Sequence, residues 1–444
     1  PHYLAPFRTI VINTNTVGTE TIELNEDLLT INNEIEVLPA TDTSPQAYKV
    51  LLGCFLAEIF TWALPYSYGV FVAHSPNHSS SAVGTTLVGL MMLLSPFSAL
   101  ASSRWPYLRR KFMALGLLLA CVSLVAASFV DQSKVGGMIV TQGVLYAIGG
   151  VVAYFPCFSF LDEWFVRRKG LACGVAWAGT GLGGSVTPFV LEWLIKQYGA
   201  RTALRVWAVV ELIGVGSAIL LVRNRVPTNS NGARTLQLMD VTFLKHPPFW
   251  IFEIANVLQA LGAYLPMLYL PSFAAHIGLP TFAGPVALAL YSISTFAGCV
   301  FLGSLVDIFH VSTIILVSTL GQLVAIFAIW GLTNGQALLY LFAIIYGIFG
   351  GASFATWPGC SLAIRRAVPD TCYLDITFVL SLLTAGKGLG SVASGPLSSA
   401  LIRSAWHGEA RLAYGSDYGA LIVFTGISAL FGGLACIGRM LRLV

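Results

Sequence analysis

The sequence predicts an all-α membrane protein of twelve transmembrane helices in two pseudo-symmetric halves of six. First, 56% of its 444 residues are hydrophobic and only 10% are charged, whereas a soluble domain carries about 25% charge. Second, apolar stretches of about twenty residues, the length that crosses the hydrocarbon core, recur along the chain. Third, one glycine-rich motif occurs twice, six stretches apart. These observations indicate a bundle whose surroundings are mostly lipid.

The apolar stretches give the predicted spans directly. They cover 47–73, 82–102, 112–130, 136–160, 170–194, 203–222, 249–272, 284–303, 312–331, 336–360, 376–402 and 418–438. With both termini in the cytosol, most loop lysines and arginines fall on the cytosolic side, as the positive-inside rule requires.

The chain divides into four regions on this map. Residues 1–46 are predicted to be a flexible acidic cytosolic tail. Residues 47–222 form the amino-terminal six-helix half, 223–248 a polar cytosolic linker, and 249–444 the carboxy-terminal half.

The repeated motif relates the two halves. The sequence AGTGLGG at 178–184 in the fifth span matches AGKGLGS at 385–391 in the eleventh. Parallel repeats of this kind are typical of carriers with a solute site near the membrane midplane between the halves. The match aligns Lys387 with Thr180, so the two copies share the glycine pattern and only the second copy carries a charge.

Several function classes are excluded by missing motifs. The sequence contains no catalytic triad, carboxylate pair or Walker motif, and the G-x-G-x-x-G string at 179–184 lies inside an apolar span, where helix packing explains it. The net charge of +4 comes without a basic stripe, which argues against nucleic acid binding. We expect no enzyme activity, cofactor or metal. The expected partners are a small organic solute, the bilayer and, as a candidate coupling ion, the proton, and the protein is expected to be a monomer.

Lys387 is the most informative single residue. An ammonium group at mid-bilayer depth costs at least about 2.5–3.5 kcal/mol, so it is rarely incidental. It could bind an anionic solute, pair with a carboxylate inside the membrane, or extend to the interface, which is difficult from the middle of a span.

Two glutamates are candidates for proton coupling. Glu58 lies in the first span and Glu211 in the sixth. Burial of a carboxyl in an apolar bundle favours its protonated form. The alternative for each is a structural hydrogen bond to a neighbouring helix.

Aromatic and polar residues at mid-span depth are candidates for lining the site. Aromatic walls with a few polar groups suit an amphipathic solute, and the alternative for each residue is packing or interface anchoring. Besides Lys387, the candidates are Tyr66, Trp62, Trp177, Thr180, Tyr154, Asn256, Gln259, Tyr291 and Trp357.

Three places in the sequence resemble the fungal monocarboxylate-porter branch of the major facilitator superfamily. They are GCFLAEIFTWALPYSYGVF at 53–71, WFVRRKGLACG at 164–174 running into AGTGLG at 178–183, and LKHPPFW at 244–250 with YLPSFA at 269–274. The segment GSLVD at 303–307 resembles a remnant of the loop motif of the whole superfamily. The resemblance implies the major facilitator fold and alternating access. It also implies that Asp307, with Arg109 and Arg110 of the partner loop, has a gating role.

The chain departs from that branch at its charged positions. Tyr66 stands where animal members carry a lysine, and Cys299 stands where fungal members often carry arginine. If this chain also binds a carboxylate, the resemblance implies that Lys387 supplies the positive charge that relatives carry at the positions of Tyr66 and Cys299.

Together these features predict a secondary active transporter that moves a small organic solute, with a proton-coupled monocarboxylate as the first candidate. The alternatives are an efflux pump for a fungal secondary metabolite and, from another class, a non-transporting sensor on a transporter scaffold. We expect residence in the plasma membrane, with a vacuolar or other internal membrane as the alternative. Asn77 begins a glycosylation sequon in the first outside loop.

Overall fold

The protein is all-helical in the part that the structure describes. The structure is a computed structural model that describes residues 39–73, 80–131, 135–225, 241–280, 282–367, 375–403, 412–434 and 436. All of these except residue 39 belong to one compact unit, Ala40–Val444. Within them, ten helices are long and apolar enough to cross a membrane.

One of these helices, Lys169–Leu221, crosses twice because it bends sharply at Gly199. Gly199 has φ 80°, a conformation that residues with a Cβ rarely adopt. We name 169–198 α5 and 200–221 α6. The other helices are α1 Pro45–Phe71, α2 Val83–Arg104, α3 Pro106–Ala127, α4 Gly136–Trp164, α7 Pro247–His276, α8 Ala283–Ile308, α9 Val311–Trp330, α10 Gln336–Ala367, α11 Ile376–Ile402 and the shorter apolar α12 Gly419–Gly432.

The prediction of twelve membrane helices is confirmed, since the bend and the shorter α12 account for the two beyond ten. The predicted eleventh span, 376–402, has the same bounds as α11. The division into two halves joined by the linker 223–248 stays a prediction, and residues 1–38 of the tail and 226–240 of the linker lie outside the described residues.

Small residues bring α5 against two helices at once. A methyl group added at Gly179 would lie 2.6 Å from the carbonyl oxygen of Phe55 in α1, and one added at Gly181 would lie 2.5 Å from that of Ser292 in α8. Glycine allows such close approach in a membrane, where apolar burial between helices gives no driving force. The repeated motif therefore serves helix packing in α5.

A second close pair, α2 with α11, mirrors the α5–α8 pair. A methyl group at Gly388 would lie 2.5 Å from the backbone nitrogen of Leu93, and Ser95 Oγ donates a hydrogen bond of 2.9 Å to the carbonyl of Ser381. The two pairs join α1–α6 to α7–α12, and the candidate site lies between them.

Candidate functional site

Lys387 lies in a cage of aromatic rings in the centre of the bundle. Its side chain is buried, with 2% of the residue exposed, which excludes extension to the interface. Nζ donates a hydrogen bond of 3.0 Å to Ser353 Oγ and lies 5.7 Å from the ring centroids of Tyr264, Phe354 and Trp357. Among the described residues, no carboxylate lies within ion-pair distance of this ammonium. The cation is held by ring faces and one hydroxyl, and its counterion is not supplied there.

An interruption of α10 positions three members of this cage. The helix widens to a π-turn at Gly347–Gly351 and tightens to a 3₁₀-turn at Ser353–Thr356 before continuing from Trp357. Irregular turns of this kind often mark functional sites in membrane helices. Our sequence reasoning missed Ser353 and Phe354. The glycine-rich run GIFGGAS at 347–353 was the signal that could have identified them.

A polar cavity of about 40 Å³ lies on one side of the cage, enough for two or three water molecules. Gln259 Nε2 donates to Gln322 Oε1 at 3.0 Å, Gln322 Nε2 donates to Ser318 Oγ at 3.1 Å, and Asn256 Nδ2 donates to the Leu383 carbonyl at 2.6 Å. All lining residues belong to α7, α9, α10, α11 and α12. The predicted residues Asn256 and Gln259 are therefore in this cavity and are already engaged with protein groups.

An aromatic cavity of about 20 Å³ lies on the other side of the cage. It brings together six residues predicted from sequence: Trp62, Tyr66, Tyr154, Trp177, Thr180 and Trp357. Met92, Phe155, Phe158, Phe354 and Thr384 complete its lining. It lies between the two groups of six helices, because α1, α2, α4 and α5 form one wall and α10 and α11 the other. In this conformation neither cavity has room for an organic solute.

Lys387 and Tyr291 are the two predicted binding residues that are not among the lining residues of either cavity. Lys387 contacts Ser353 and Trp357, which line the polar cavity, whereas Tyr291 does not belong to the cage. Tyr291 is buried in α8 and stacks on Tyr346 of α10, with ring centroids 6.1 Å apart. The described contacts of Tyr291 are thus packing contacts within α7–α12.

Glu58 is a fully buried carboxyl in α1. Neither of its oxygens has a hydrogen-bond partner among the described residues. Its electrostatic neighbours include Cys157 of α4 and Cys299 of α8, so it lies close to the contact between the two groups of helices. An ionised carboxylate without partners in apolar surroundings costs many kcal/mol, and the protonated form removes most of that cost.

Glu211 is also fully buried but has a partner. Tyr146 of α4 donates a hydrogen bond of 3.0 Å to its Oε1, and the same hydroxyl lies 3.1 Å from the carbonyl of Thr61 in α1. This network ties α6 to α4 and α1 within the amino-terminal group. Glu211 lines neither cavity.

Asp307 joins the two groups of helices at the predicted cytosolic end. Its Oδ1 and Oδ2 accept hydrogen bonds of 2.8 Å each from the backbone N–H groups of Gly170 and Leu171 at the start of α5. A carboxylate is favourable there because the first N–H groups of a helix lack partners and carry partial positive charge. We name this contact the Asp307 clamp.

Arg109 and Arg110, the other predicted gating residues, contact only α1–α6 and its loops among the described residues. Arg109 Nη1 lies 2.5 Å from Glu163 Oε1, and Arg110 Nε donates to the Ile219 carbonyl at 3.1 Å. The predicted glycosylation site Asn77 lies outside the described residues.

Comparison with known families gives one match over most of the chain. A model described as the Major Facilitator Superfamily matches residues 50–371. Among similar fungal proteins, the MFS-type transporter pynF of Aspergillus niger is 22% identical over 386 residues, covering 84% of this chain and 86% of its own. The MFS-type transporter dbaD of Emericella nidulans is 25% identical over 406 residues, covering 88% and 85%. The probable transporter MCH2 of Saccharomyces cerevisiae is 24% identical over 365 residues, covering 77% and 75%.

Two solved structures share the architecture. The nucleoside transporter NupG superposes with a TM-score of 0.60 at 14% identity and covers 88% of this chain and 98% of its own. A D-xylose–proton symporter gives a TM-score of 0.60 at 15% identity, with 87% and 96% covered. At such identities the likeness concerns the fold.

Proposed function

This chain belongs to the Major Facilitator Superfamily and is a multi-pass membrane transporter, not an enzyme, and from that premise we propose that it carries a small organic anion, a monocarboxylate, by alternating access. The proposed site is the Lys387 cage in α7, α10 and α11, next to the aromatic cavity between the two groups of six helices. A gradient-driven carrier moves its solute in either direction, according to the gradient.

Among the described residues Lys387 has no carboxylate within ion-pair distance, and this observation carries the proposal. Ring faces stabilise a buried cation by about 0.5–2 kcal/mol each, and a neutral hydroxyl adds one hydrogen bond. A bound carboxylate supplies the opposite charge and a hydrogen bond of about 1.5–3 kcal/mol. The solute is thus the group that completes the site, which gives the carrier a reason to select anions.

Lys387→Gln tests the anion site with little change in side-chain size. Uptake of radiolabelled monocarboxylates into proteoliposomes is expected to fall at least about tenfold, as the loss of a charge-assisted hydrogen bond requires. Lys196→Gln is the matched control, because Lys196 is a largely exposed lysine paired with Glu192 on α5. Unchanged anion uptake by the Lys387→Gln variant would show that the cage does not bind the solute's charge.

Proton coupling is assigned to Glu58 in this proposal. Its carboxyl is fully buried and has no hydrogen-bond partner among the described residues, whereas Glu211 is bound by Tyr146. A group that gains and loses a proton during transport needs surroundings that differ between the conformations of the carrier. Glu58 meets this requirement because it lies where the two groups of helices separate.

Measuring solute flux under an imposed pH gradient distinguishes the roles of Glu58 and Glu211. We expect Glu58→Gln to keep solute exchange at equal pH and to lose acceleration by an inward proton gradient. The control Glu211→Gln is expected to keep both. Gradient-driven accumulation by the Glu58→Gln variant would contradict the coupling assignment.

The aromatic cavity favours one rival within transport, the efflux of a bulky amphipathic metabolite. That rival predicts flux of neutral amphipathic compounds and little dependence on Lys387. A non-transporting sensor predicts flux of no compound in the same panel.

A monomer in the plasma membrane completes the proposal. Fluorescence microscopy of the tagged chain distinguishes the plasma membrane from the vacuole or another internal membrane. Light scattering of the detergent-solubilised protein measures its oligomeric state.

A further inference from the structure

A continuous row of aromatic rings leads away from the Lys387 ammonium. Phe354 and Trp357 each lie 5.7 Å from Nζ, and the same two rings lie 5.5 and 5.8 Å from the ring of Trp177. Phe158 follows at 5.0 Å from Trp177. Lys387 is not among the lining residues of the aromatic cavity, but Phe354 and Trp357, which contact its ammonium, are, so these two rings connect the cation to that cavity.

The row continues to the far end of that cavity. Tyr154 lies 6.4 Å from Phe158, Trp62 lies 5.4 Å from Tyr154, and Tyr66 lies 5.9 Å from Trp62. The contacts at Trp62 and most of those at Trp177 are edge-to-face, and both residues line the aromatic cavity. Aromatic guests pack well against such walls, because offset stacking and edge-to-face contacts are both favourable.

The polar cavity is the less favourable place for the body of the solute. The amide groups of Asn256, Gln259 and Gln322 already bond to one another or to protein carbonyls and hydroxyls. A solute that displaced any of those bonds would leave a buried polar group unpaired, which costs about 1–3 kcal/mol. Rings that move aside lose only dispersion contacts.

From these contacts we propose that the solute is an aromatic monocarboxylate whose ring enters the aromatic cavity while its carboxylate binds Lys387. This inference rests on the proposed function and narrows its substrate class. Trp177 belongs to α5, and Phe354 and Trp357 belong to α10, so the ring lies between walls that separate when the carrier opens. In the present conformation this space has a volume of about 20 Å³.

A matched pair of acids tests the ring requirement. Benzoate and cyclohexanecarboxylate have the same charge and nearly the same size, and only benzoate is aromatic. Competition against radiolabelled benzoate uptake in proteoliposomes is expected to favour benzoate about three- to tenfold, which is the effect of one or two aromatic pairs. Lactate is expected to compete more weakly than both, because it leaves the ring surfaces unfilled.

Substitutions of two tryptophans on α5 test whether the aromatic cavity causes the preference for benzoate, one as the variant and one as its control. Trp177 is buried in the cavity wall, whereas Trp193 is 56% exposed on the outside of the same helix. Trp177→Leu is expected to reduce the ratio between the two acids to about one, Trp177→Phe to keep the preference, and Trp193→Leu to leave it unchanged. The Trp177→Phe variant keeps the test informative where the leucine variant fails to fold.

The outcomes separate this inference from the proposed function. Equal competition by the two acids, with uptake that still depends on Lys387, overturns the aromatic requirement and leaves an anion carrier. Competition by benzamide equal to that by benzoate overturns the carboxylate requirement. Carboxylate uptake that survives Lys387→Gln unchanged overturns the proposed anion site and this inference with it.

Discussion

The Asp307 clamp provides a prediction about the conformational cycle. Asp307→Asn keeps one acceptor oxygen for two N–H donors, so one of the two 2.8 Å hydrogen bonds is lost. Loss of a helix cap costs about 0.5–2 kcal/mol, and loss of the charge at a helix start adds about 0.3–1 kcal/mol. Because Asp307 is solvent-exposed, we take about 1–2 kcal/mol as the total. The equilibrium between closed and open forms of this end should shift about five- to thirtyfold toward the open form.

A native thiol reports that shift. Cys173 is buried one turn into α5, near Asp307 and beside the close contact of Gly174 with the Cys299 carbonyl. Maleimide labelling of the purified protein, followed by peptide mass spectrometry, gives the modification rate of Cys173. When closing is faster than labelling, this rate follows the opening equilibrium and should rise by the same five- to thirtyfold.

Two controls make the labelling result specific to the Asp307 clamp. Asp162→Asn removes an acid that pairs with Lys169 at the surface of the same end, where ion pairs contribute little. Cys121 of α3, bound to the Ala208 carbonyl, lies away from the α5–α8 contact and should label at an unchanged rate. A Cys173 rate in the Asp307→Asn variant within twofold of the parent rate would refute the reasoning.

The remaining predictions concern packing, pH and the second buried glutamate. A Cβ at Gly181 would lie 2.5 Å from a carbonyl oxygen of α8, so Gly181→Val should lower the melting temperature and abolish transport, whereas Gly216→Val, with open space around it, should do neither. Burial raises the pKa of Asp42, but hydrogen bonds from three successive backbone N–H groups outweigh it and hold that pKa below its usual value of 3.8. The stabilisation from Asp42 is therefore complete above about pH 4 and lost as pH falls below it, so Asp42→Asn should lower the melting temperature at pH 7 and flatten its fall toward pH 3. Tyr146→Phe removes the hydrogen bond to Glu211 and should destabilise the protein by about 1–3 kcal/mol in thermal unfolding while solute exchange persists.

The spans could be predicted from sequence because the bilayer imposes a length and a composition on each. The eleventh span agrees with α11 residue for residue, and the others agree to within a few residues at most of their ends. The internal irregularities could not be predicted in this way. The π-turns at Ile139–Leu145, Val324–Trp330 and Gly347–Gly351 leave the hydropathy unchanged, because they depend on which neighbouring helices satisfy the displaced backbone groups.

Part of the site could be predicted from sequence because the bilayer also restricts where charged groups occur. Lys387 and Glu58 stood out because charged groups are expensive in lipid, and six of the predicted aromatic and polar residues do line one cavity. The partners of Lys387 and Trp177 could not be predicted from hydropathy. Ser353, Phe354 and Phe158 carry no charge, and their contacts depend on how consecutive helices, α10 with α11 and α4 with α5, pack together.

The sequence by itself determined that this protein crosses a membrane twelve times and contains a lysine in the middle of its eleventh span. Both follow from the free energy of moving single groups between water and lipid, which depends on local composition. Only the tertiary structure decided that Lys387 lies among three rings rather than beside a carboxylate, and that Glu211 is hydrogen-bonded while Glu58 has no such bond among the described residues. Those outcomes depend on which helices pack together, and glycines allow the closest of these contacts, of α5 with α1 and α8 and of α2 with α11.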